Sequence, residues 1–348
     1  MEKGIAAYWL VVILVVGLAA GAGIGYWLAP EEEVAPPPEV TRKIGVVMWW
    51  HHDEGIWSPS HAKAIEALEG KYDLDITWIE ETGIADVEQI IRVAAGMYDI
   101  VYVETDEFEE ATKTVAQEYP DVYFVQEWEA TKLASDYFPS NVVALNAYDA
   151  YKVNFLLGAA AAKITNTNKL GIILAIAGPR SFRIVSNAFR EGARHVNPDI
   201  EVTQVVMDAY SDPLKSRDTA AAFIEDGIDV IFVNQDDYAA TLEAALHENV
   251  YTIQQYIDVT PYYPDTIIGC GIWDWEVELD KVLNAIAEDR FAEFRAENWQ
   301  LFLSFEYRSL DIPIWGNMVP ESVKDYIADL RNDIIAGTVV VPEITTWL

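Results

Sequence analysis

The fold is decided by two consecutive pieces of sequence: YDAYKVNFLLGAAAAKITNTNKLGIILAIAGP at residues 148–179 and RIVSNAFREGARHVNPDIEVTQVVMDAYSDPLKSRDTAAAFIEDGIDVIFV at residues 183–233. Three short apolar runs rich in β-branched residues predict strands at Lys169–Leu174, Val202–Met207 and Val230–Val233. The segments between these runs carry apolar residues at helical spacing. Strands that alternate with helices of this length predict βαβ units on a parallel sheet.

The carboxyl ends of these three strands indicate where a ligand would bind, because a parallel sheet forms its crevice at that edge. The three ends carry Ala175–Pro179, Asp208–Asp212 and Asn234–Asp237. The last two are polar, aromatic and acidic, and none of the three is a glycine loop that could cradle a phosphate group. This edge of the sheet therefore predicts a polar and aromatic ligand site.

The rest of the chain predicts a second lobe of the same type. Residues 43–146 are interpreted as the first βα lobe and residues 147–254 as the second. We expect segments from about residue 255 to 300 to complete the first lobe, and segments up to residue 348 to complete the second. The segment Trp299–Asp311 has strand character. Two similar lobes in tandem predict a cleft between them.

Helix starts and stops are predicted from capping residues. Ser58 or Ser60 is expected to cap the first helix of the body, and Asp212 the helix that begins at Pro213. The last helix is predicted to begin near Pro320 and to stop near Gly337, because proline favours the first turn and glycine follows a helix end.

The N-terminal region predicts attachment to a membrane. Ile5–Pro30 is apolar and uncharged, and a bilayer-spanning helix needs about 20 such residues. A secretory signal has a shorter apolar region of ~7–15 residues, so residues 1–30 are interpreted as a retained anchor in preference to a cleaved signal. Lys3 precedes the apolar run, so the body is expected outside the cell. Residues 31–42 form an acidic, proline-rich linker.

The net charge of −34 restricts the possible partners. A body this acidic repels nucleic acid and anionic lipid headgroups, so neither is expected to bind. The charge is typical of solubility at a salty or crowded cell exterior, and it also suits a field that attracts cationic ligands. The single cysteine, Cys270, excludes an intrachain disulfide and lies in a strand-like run, where a small buried side chain is expected.

Motifs for catalysis are absent from the sequence. It contains no Gly-x-Ser-x-Gly elbow, Walker loop, GxGxxG turn or HExxH helix, so no motif indicates an enzyme or a cofactor and we expect neither. The abundant carboxylates leave acid–base chemistry open as an alternative. His51, His52, Asp53 and His61 were weighed as metal ligands. Adjacent histidines on a loop tend to point apart and no cysteine joins them, so we interpret these residues as polar loop lining and expect no metal.

Candidate ligand contacts lie near the predicted strand ends. Trp57 and Tyr210 follow strands in different lobes, so their rings could face each other across the cleft and enclose a flat ligand. Each stacking contact of this kind supplies about 1–3 kcal/mol. Carboxylates near strand ends could accept hydrogen bonds from ring N–H groups, exocyclic amines or sugar hydroxyls. The other candidates are Asp53, Glu104, Asp236 and Trp273.

Several separate segments resemble the basic membrane protein family, the PnrA-like substrate-binding lipoproteins of ABC transporters. They are GAAAAKITNTNKLGII, SNAFREGARHVNPDIEV, DAYSDP, DGIDVIFV and the loop DEGIWSPSHAKAIEAL, and the resemblance extends from about Lys43 to Leu348. It implies a type I periplasmic-binding fold of two α/β lobes joined by a hinge. It also implies capture of a planar solute, a purine nucleoside or nucleobase, and delivery to an ABC permease.

The resemblance also implies roles for particular residues. The base-stacking aromatics of the family fall on Trp57 and Tyr210, while the ribose-contacting aspartate and lysine fall near Tyr256 and Trp273. Because both of the latter are aromatic here, a free base or another planar ligand is favoured over a nucleoside. The predicted transmembrane segment takes the place of the family's lipidated cysteine. A ligand sensor and a structural surface protein on the same fold remain alternatives.

Overall fold

The computed structural model describes residues 42–128 and 131–347. The strands are β1 (Arg42–Val47), β2 (Leu74–Ile79), β3 (Ile100–Val103), β4 (Tyr123–Trp128), β5 (Val142–Asn146), β6 (Lys169–Leu174), β7 (Glu201–Val206), β8 (Val230–Asn234), β9 (Tyr251–Tyr256), β10 (Ile267–Trp273), β11 (Gln300–Phe302) and β12 (Leu310–Asp311). The helices are α1 (Trp57–Tyr72), α2 (Val87–Ala95), α3 (Glu109–Glu118), α4 (Ala150–Ile164), α5 (Arg180–Val196), α6 (Pro213–Glu225), α7 (Ala239–Ala244), α8 (Glu276–Ala287), α9 (Phe291–Glu297) and α10 (Glu321–Ile335).

These strands form two six-stranded sheets, in the orders β11-β5-β4-β3-β1-β2 and β12-β10-β9-β8-β6-β7. Every neighbouring pair is parallel except β10 with β12. Central strands such as β3 and β8 are buried along their whole length, as expected for a parallel sheet covered on both faces. The parallel order brings the carboxyl ends of each sheet's strands to one edge, and this confirms the predicted α/β class.

Each sheet is the centre of one lobe, and the chain crosses between the lobes three times within the described residues. The crossings lie between β5 and α4, between β10 and α8, and between β11 and β12. At the third crossing the backbone N–H of Leu303 donates to Asn146 O at the first, over 2.8 Å. Three adjacent crossings form a narrow connection that suits hinge motion of the two lobes.

Two expectations about the late segments need correction. Within residues 255–300, which were expected to complete the first lobe, β10 instead pairs with β9 in the second sheet. Its apolar run needs a neighbour on both sides, and it lies between β9 and β12. The segment Trp299–Asp311 is not one strand, because β11 joins the first sheet and β12 joins the second.

The predicted helix caps give a mixed outcome. Asp212 caps α6 as predicted, accepting a hydrogen bond from the Lys215 backbone N–H over 3.0 Å. The predicted serine cap of the first helix is wrong, because α1 already begins at Trp57. Ser58 and Ser60 therefore lie inside the helix, where Ser60 Oγ donates back to Trp57 O over 2.7 Å. The N-terminus of α1 is capped from the other lobe, as described below.

Close packing of α4 on α5 depends on two glycines. A Cβ atom at Gly158 would lie 1.9 Å from the backbone oxygen of Phe189, and one at Gly192 would lie 1.9 Å from that of Phe155. Because real non-bonded contacts do not approach this distance, only hydrogen fits at either position. The GAAAA run of α4 thus lets the two helices lie backbone against backbone in the second lobe.

Two further sequence predictions are confirmed, and one lies outside the described residues. Cys270 is buried, and α10 is followed by Gly337 at φ +74°, where glycine is favoured. The predicted anchor Ile5–Pro30 falls outside the residues that the structure describes. No helix in residues 42–128 or 131–347 is long and apolar enough to cross a membrane.

Candidate functional site

A cavity between the two lobes collects the carboxyl ends of strands from both sheets. It encloses about 670 Å³ of space free of protein atoms, including its open mouth. Strand ends and α1 of the first lobe contribute Trp49, Trp57, Ser58, Asp106, Glu107 and Glu127. The second lobe contributes Phe182, Tyr210, Asn234, Gln235, Asp236 and Tyr256.

The structure brings four of the seven predicted site residues to the cavity wall: Trp57, Tyr210, Asp236 and Tyr256. Two others lie just behind the wall. Glu104 accepts a hydrogen bond from Ser58 Oγ over 2.8 Å, and the Trp273 ring packs 5.7 Å from that of Trp57. Asp53 is exposed on the loop between β1 and α1 and is not among the residues that line the cavity.

The Trp57 ring belongs to an aromatic cluster at the inner end of the cavity. It meets Tyr256, Trp273 and Trp275 edge to face, with ring centroids 4.9, 5.7 and 6.1 Å away. Tyr256 and Trp273 also meet each other edge to face at 4.8 Å. We call these four rings the inner cluster. Edge-to-face contacts are favourable for aromatic rings, so the cluster holds Trp57 in a fixed orientation.

The Tyr210 ring belongs to a different aromatic group. It lies 5.7 Å from Trp49 and 6.2 Å from Phe182, and its hydroxyl donates to Glu107 Oε1 over 2.8 Å. We call Trp49, Phe182 and Tyr210 the outer group. Trp57 and Tyr210 thus each pack within their own group, and the structure records no ring contact between them.

Tyr256 has an unusual backbone conformation for a bulky residue. Its φ is +71°, and the N–H of Ile257 donates across it to Gln255 O over 2.9 Å. This i to i+2 bond with positive φ at the centre defines a γ-turn, which is rare and strained. Strain of this kind costs about 1–3 kcal/mol and persists only where packing enforces it. Here the inner cluster holds the ring, and the Tyr256 hydroxyl donates to Asn234 Oδ1 over 3.2 Å.

Asp236 joins the lobes by capping α1 from across the cleft. Its Oδ1 accepts hydrogen bonds from the backbone N–H groups of Ile56 and, over 2.8 Å, Trp57. A carboxylate at a helix N-terminus is stabilised by the helix dipole and the unpaired N–H groups. Gly55, at φ +81°, permits this approach, because a Cβ there would lie 2.7 Å from Asp236 Oδ2. Tyr238 adds a second bond between the lobes, from its hydroxyl to Gly55 O at 3.1 Å.

Three carboxyl groups at the site have raised pKa values. Burial raises the pKa of Glu104 to about 8, although Ser58 Oγ and the Trp49 N–H, at 2.5 Å, donate to it. Burial, with repulsion from Glu107 and Glu109, raises the pKa of Asp106 to about 7. Burial raises the pKa of Asp236 to about 6 against the opposing effect of its two backbone donors. These groups lose their charge readily because the site offers them little solvation.

Glu104 should make the protein less stable as the pH rises. The folded state keeps its proton up to a pKa of about 8, whereas the unfolded value is 4.5. Between these pKa values Glu104 is protonated in the folded state but ionised in the unfolded state. The free energy of unfolding therefore falls by up to about 1.4 kcal/mol for each unit that the pH rises. Glu104→Gln keeps an acceptor for Ser58 but does not titrate, and it should remove this loss.

Urea denaturation at pH 5, 6.5 and 8 measures the effect of Glu104. We expect the stability of Glu104→Gln relative to the wild type to increase with pH. Glu66→Gln, on the exposed face of the same helix α1, is the matched control and should keep the wild-type slope. Parallel pH profiles for the wild type and Glu104→Gln would contradict the assignment.

The residues weighed as metal ligands do not come together as one set, although the expectation that His51 and His52 point apart is wrong. His51 and His52 both face Glu80, at 3.3 and 2.6 Å, and His52 stacks on Trp78. His61 is buried in α1, with Nδ1 2.6 Å from the Tyr102 hydroxyl. Over residues 42–128 and 131–347 no group of three or more His, Cys, Asp or Glu side chains is arranged to hold a metal ion.

Sequence reasoning missed several residues of the cavity. Trp49 lies two residues after β1, Asp106 and Glu107 lie three and four residues after β3, and Gln235 directly follows β8. The rule that selected Asp236 covers these positions too, because each lies within a few residues of a strand end. Phe182 carries no such signal: it lies in the first turn of α5 and reaches the cavity only through the packing of the second lobe.

The fold is shared with solved solute-binding proteins. An ABC transporter solute-binding protein from Conexibacter woesei has a TM-score of 0.72 at 18% sequence identity, over 88% of this chain and 100% of that chain. A solute-binding protein of an ABC transporter system from Aeropyrum pernix has a TM-score of 0.69 at 18% identity, over 87% and 94% of the two chains. These similarities confirm the two-lobe periplasmic-binding fold predicted from the sequence.

Sequence relatives point in the same direction. TsgA13 of Haloferax volcanii is 27% identical over 80% of this chain and 68% of its own. Its name describes a provisional assignment as the glucose-binding protein of an ABC transporter. A purine-binding protein of Brucella abortus is 27% identical over 75% and 71% of the two chains. The profile of the Bmp family, described as ABC transporter substrate-binding protein PnrA-like, matches residues 43–345. Because this match spans nearly all of the described body, the chain belongs to the PnrA-like family of ABC transporter substrate-binding proteins.

Proposed function

We propose that the cavity captures a planar heterocycle for an ABC importer, and that it takes a purine base in preference to the purine nucleoside. As a family member the chain is a substrate-binding protein and not an enzyme. The observation that carries the choice of ligand is the aromatic wall of the cavity, formed by Trp49, Trp57, Phe182, Tyr210 and Tyr256. Flat ring systems gain about 1–3 kcal/mol from each stacking contact with such side chains.

The inner cluster supports a base over a nucleoside. In the family that the sequence resembles, the ribose contacts fall near Tyr256 and Trp273, and in this chain both side chains are aromatic and buried, with exposures of 9% and 3%. They pack on Trp57 at 4.9 and 5.7 Å. At these two positions the chain offers no carboxylate or ammonium group to bond ribose hydroxyls. A bare base needs neither of these.

Capture is proposed to proceed by hinge closure. The three crossings let the lobes rotate, and ligand binding favours the arrangement in which Asp236 caps α1. The closed protein then docks on an ABC permease. We propose that the body works outside the cell, held to the membrane by Ile5–Pro30.

Binding to the purified full-length chain tests this proposal. Bound ligand raises the melting temperature with ligand concentration. We expect adenine, guanine or hypoxanthine to raise it, with smaller shifts from the matching nucleosides and none from glucose. The Haloferax relative's name makes glucose a necessary member of the panel. A shift with glucose alone would replace the base assignment by a sugar assignment, and no shift at all would favour the sensory or structural alternatives.

Tyr210 variants test whether aromatic stacking holds the ligand. Tyr210→Ala removes the ring and should weaken base binding about 10-fold or more, as expected for loss of one stacking contact. Tyr210→Phe keeps the ring, loses the hydroxyl that donates to Glu107, and should retain most of the affinity. Tyr307→Ala, at a tyrosine that is 81% exposed, is the control. Equal affinities for Tyr210→Ala and the wild type, measured by calorimetry, would exclude stacking on this ring.

A further inference from the structure

The cavity has a strongly one-sided charge. Four carboxylates line it: Asp106, Glu107, Glu127 and Asp236. Its lining in the described part of the chain includes no Lys, Arg or His side chain. Glu104, directly behind the wall, adds no negative charge below its pKa of about 8. Above the pKa of Asp106, about 7, a ligand that enters this cavity meets a negative field from both lobes.

General surface acidity does not account for this arrangement. A surface carboxylate is hydrated, whereas a carboxylate with little access to water is costly unless it is paired. Elsewhere the fold supplies such pairs, as with Arg331 and Asp311 at 3.0 Å. Within residues 42–128 and 131–347, neither Glu104 nor Asp106 takes part in an ion pair with a protein side chain.

Unpartnered amide groups give a second, independent indication of the ligand. Asn234 and Gln235 line the cavity and are 1% and 3% exposed. Asn234 Nδ2 and Gln235 Oε1 have no hydrogen-bond partner among the described residues. A buried amide donor and acceptor without partners are costly to maintain. A ligand that carries an amide group would satisfy both, because its C=O accepts from Asn234 Nδ2 and its N–H donates to Gln235 Oε1.

The aromatic wall suits a positive charge as well as a flat ring. A cation over the face of a Trp, Tyr or Phe ring is attracted by the ring quadrupole, and aromatic cages recognise quaternary ammonium groups in this way. Five aromatic side chains line the cavity together with the four carboxylates.

We propose that the cavity selects a planar cation: an N-alkylated or protonated heteroaromatic ring that carries an amide substituent. This inference rests on the proposed function, because it assigns a charge to the solute of the same cavity. The ring stacks on the aromatic wall, the carboxylates neutralise its charge, and the substituent bonds to Asn234 and Gln235. The raised pKa values of Asp106 and Asp236 agree with carboxylates that lack a counter-charge.

A matched pair of probes tests the charge alone. 1-Methylnicotinamide is a planar quaternary cation, and nicotinamide is its neutral counterpart with the same ring and carboxamide. Calorimetry on the full-length chain at pH 8 should give at least 10-fold tighter binding of the cation. Equal or tighter binding of nicotinamide would overturn the inference.

Variants that remove one carboxylate test which side chain causes the preference for the cation. Asp106→Asn should weaken 1-methylnicotinamide binding about 10-fold and leave nicotinamide binding within about 2-fold, since one carboxylate in low dielectric is removed. Asp136→Asn, at an exposed aspartate between β4 and β5, is the control and should change neither. If Asp106→Asn does not fold, Glu107→Gln at the exposed edge of the cavity gives the same comparison. An unchanged ratio of the two affinities in both variants would overturn the inference.

Adenine in the same titrations separates the two proposals. If adenine binds and 1-methylnicotinamide binds no more tightly than nicotinamide, the charge inference fails and the base proposal stands. If only the cation binds, the purine assignment fails and the charge inference stands. If nothing binds, both fail.

Discussion

Replacing Gly158 with alanine should destabilise the protein by about 3 kcal/mol or more, or prevent the second lobe from folding. The new methyl group would lie 1.9 Å from Phe189 O and 3.0 Å from the Ala193 backbone nitrogen. Both atoms belong to the backbone of α5, so relief requires the whole helix to move away. Gly192→Ala should have the same effect, because its methyl group on α5 would lie 1.9 Å from Phe155 O on α4.

Gly70→Ala is the matched control for this prediction. Gly70 also lies inside a helix, α1, but no atom lies within 4 Å of the position of its added Cβ. Alanine there should stabilise the protein by about 0.5–1 kcal/mol, because it favours the helical backbone. Urea denaturation of the three variants measures the difference, and similar midpoints for Gly158→Ala and Gly70→Ala would contradict the packing argument.

Asp236→Ala should let the two lobes separate and weaken binding of the solute by about 10-fold or more, since a charge-assisted cap and its dipole interaction are lost. The variant leaves the N–H groups of Ile56 and Trp57 without the carboxylate that accepts from them. We expect a larger radius of gyration in X-ray scattering and faster hydrogen exchange at these two amides. Neither measurement depends on the identity of the ligand.

Asp212→Ala separates this effect from ordinary loss of a helix cap. Asp212 also caps a helix by accepting from a backbone N–H, but its helix α6 and its partner Lys215 belong to the same lobe. This variant should lose about 1 kcal/mol of stability with no change in the radius of gyration. If Asp236→Ala and Asp212→Ala scatter alike, Asp236 does not hold the lobes together.

The sequence predicted the bounds of secondary-structure elements closely where the residues of the element itself were sufficient to define it. The predicted strand Lys169–Leu174 has the bounds of β6, and the predicted strands Val202–Met207 and Val230–Val233 differ from β7 and β8 by one residue at their ends. Buried parallel strands are continuous apolar runs, and turn residues delimit them, so local sequence is sufficient. Asp212 was predicted as a cap for the same reason, because a helix cap and its partner lie within three residues of each other.

Errors arose where the deciding contact was distant in sequence. Ser58 and Ser60 have the composition of a cap, but the N–H groups of α1 are bonded to Asp236, 179 residues beyond Trp57. The strand-like segment Trp299–Asp311 divides between two sheets, and nothing in its own sequence states which strand each half will join. Such choices depend on which partners the rest of the fold brings near.

The sequence by itself determined the α/β class and the edge at which the cavity forms, because these follow from periodicity and from residues at strand ends. The family followed from the resemblance of several separate segments. Only the tertiary structure decided how the site residues meet. It assigned Trp57 and Tyr210 to separate aromatic groups, left Asp53 exposed, and added Trp49 and Phe182. The physical reason is that a pattern along the chain records the burial of each element, whereas the contacts across a cleft depend on the relative positions of two lobes that are far apart in sequence.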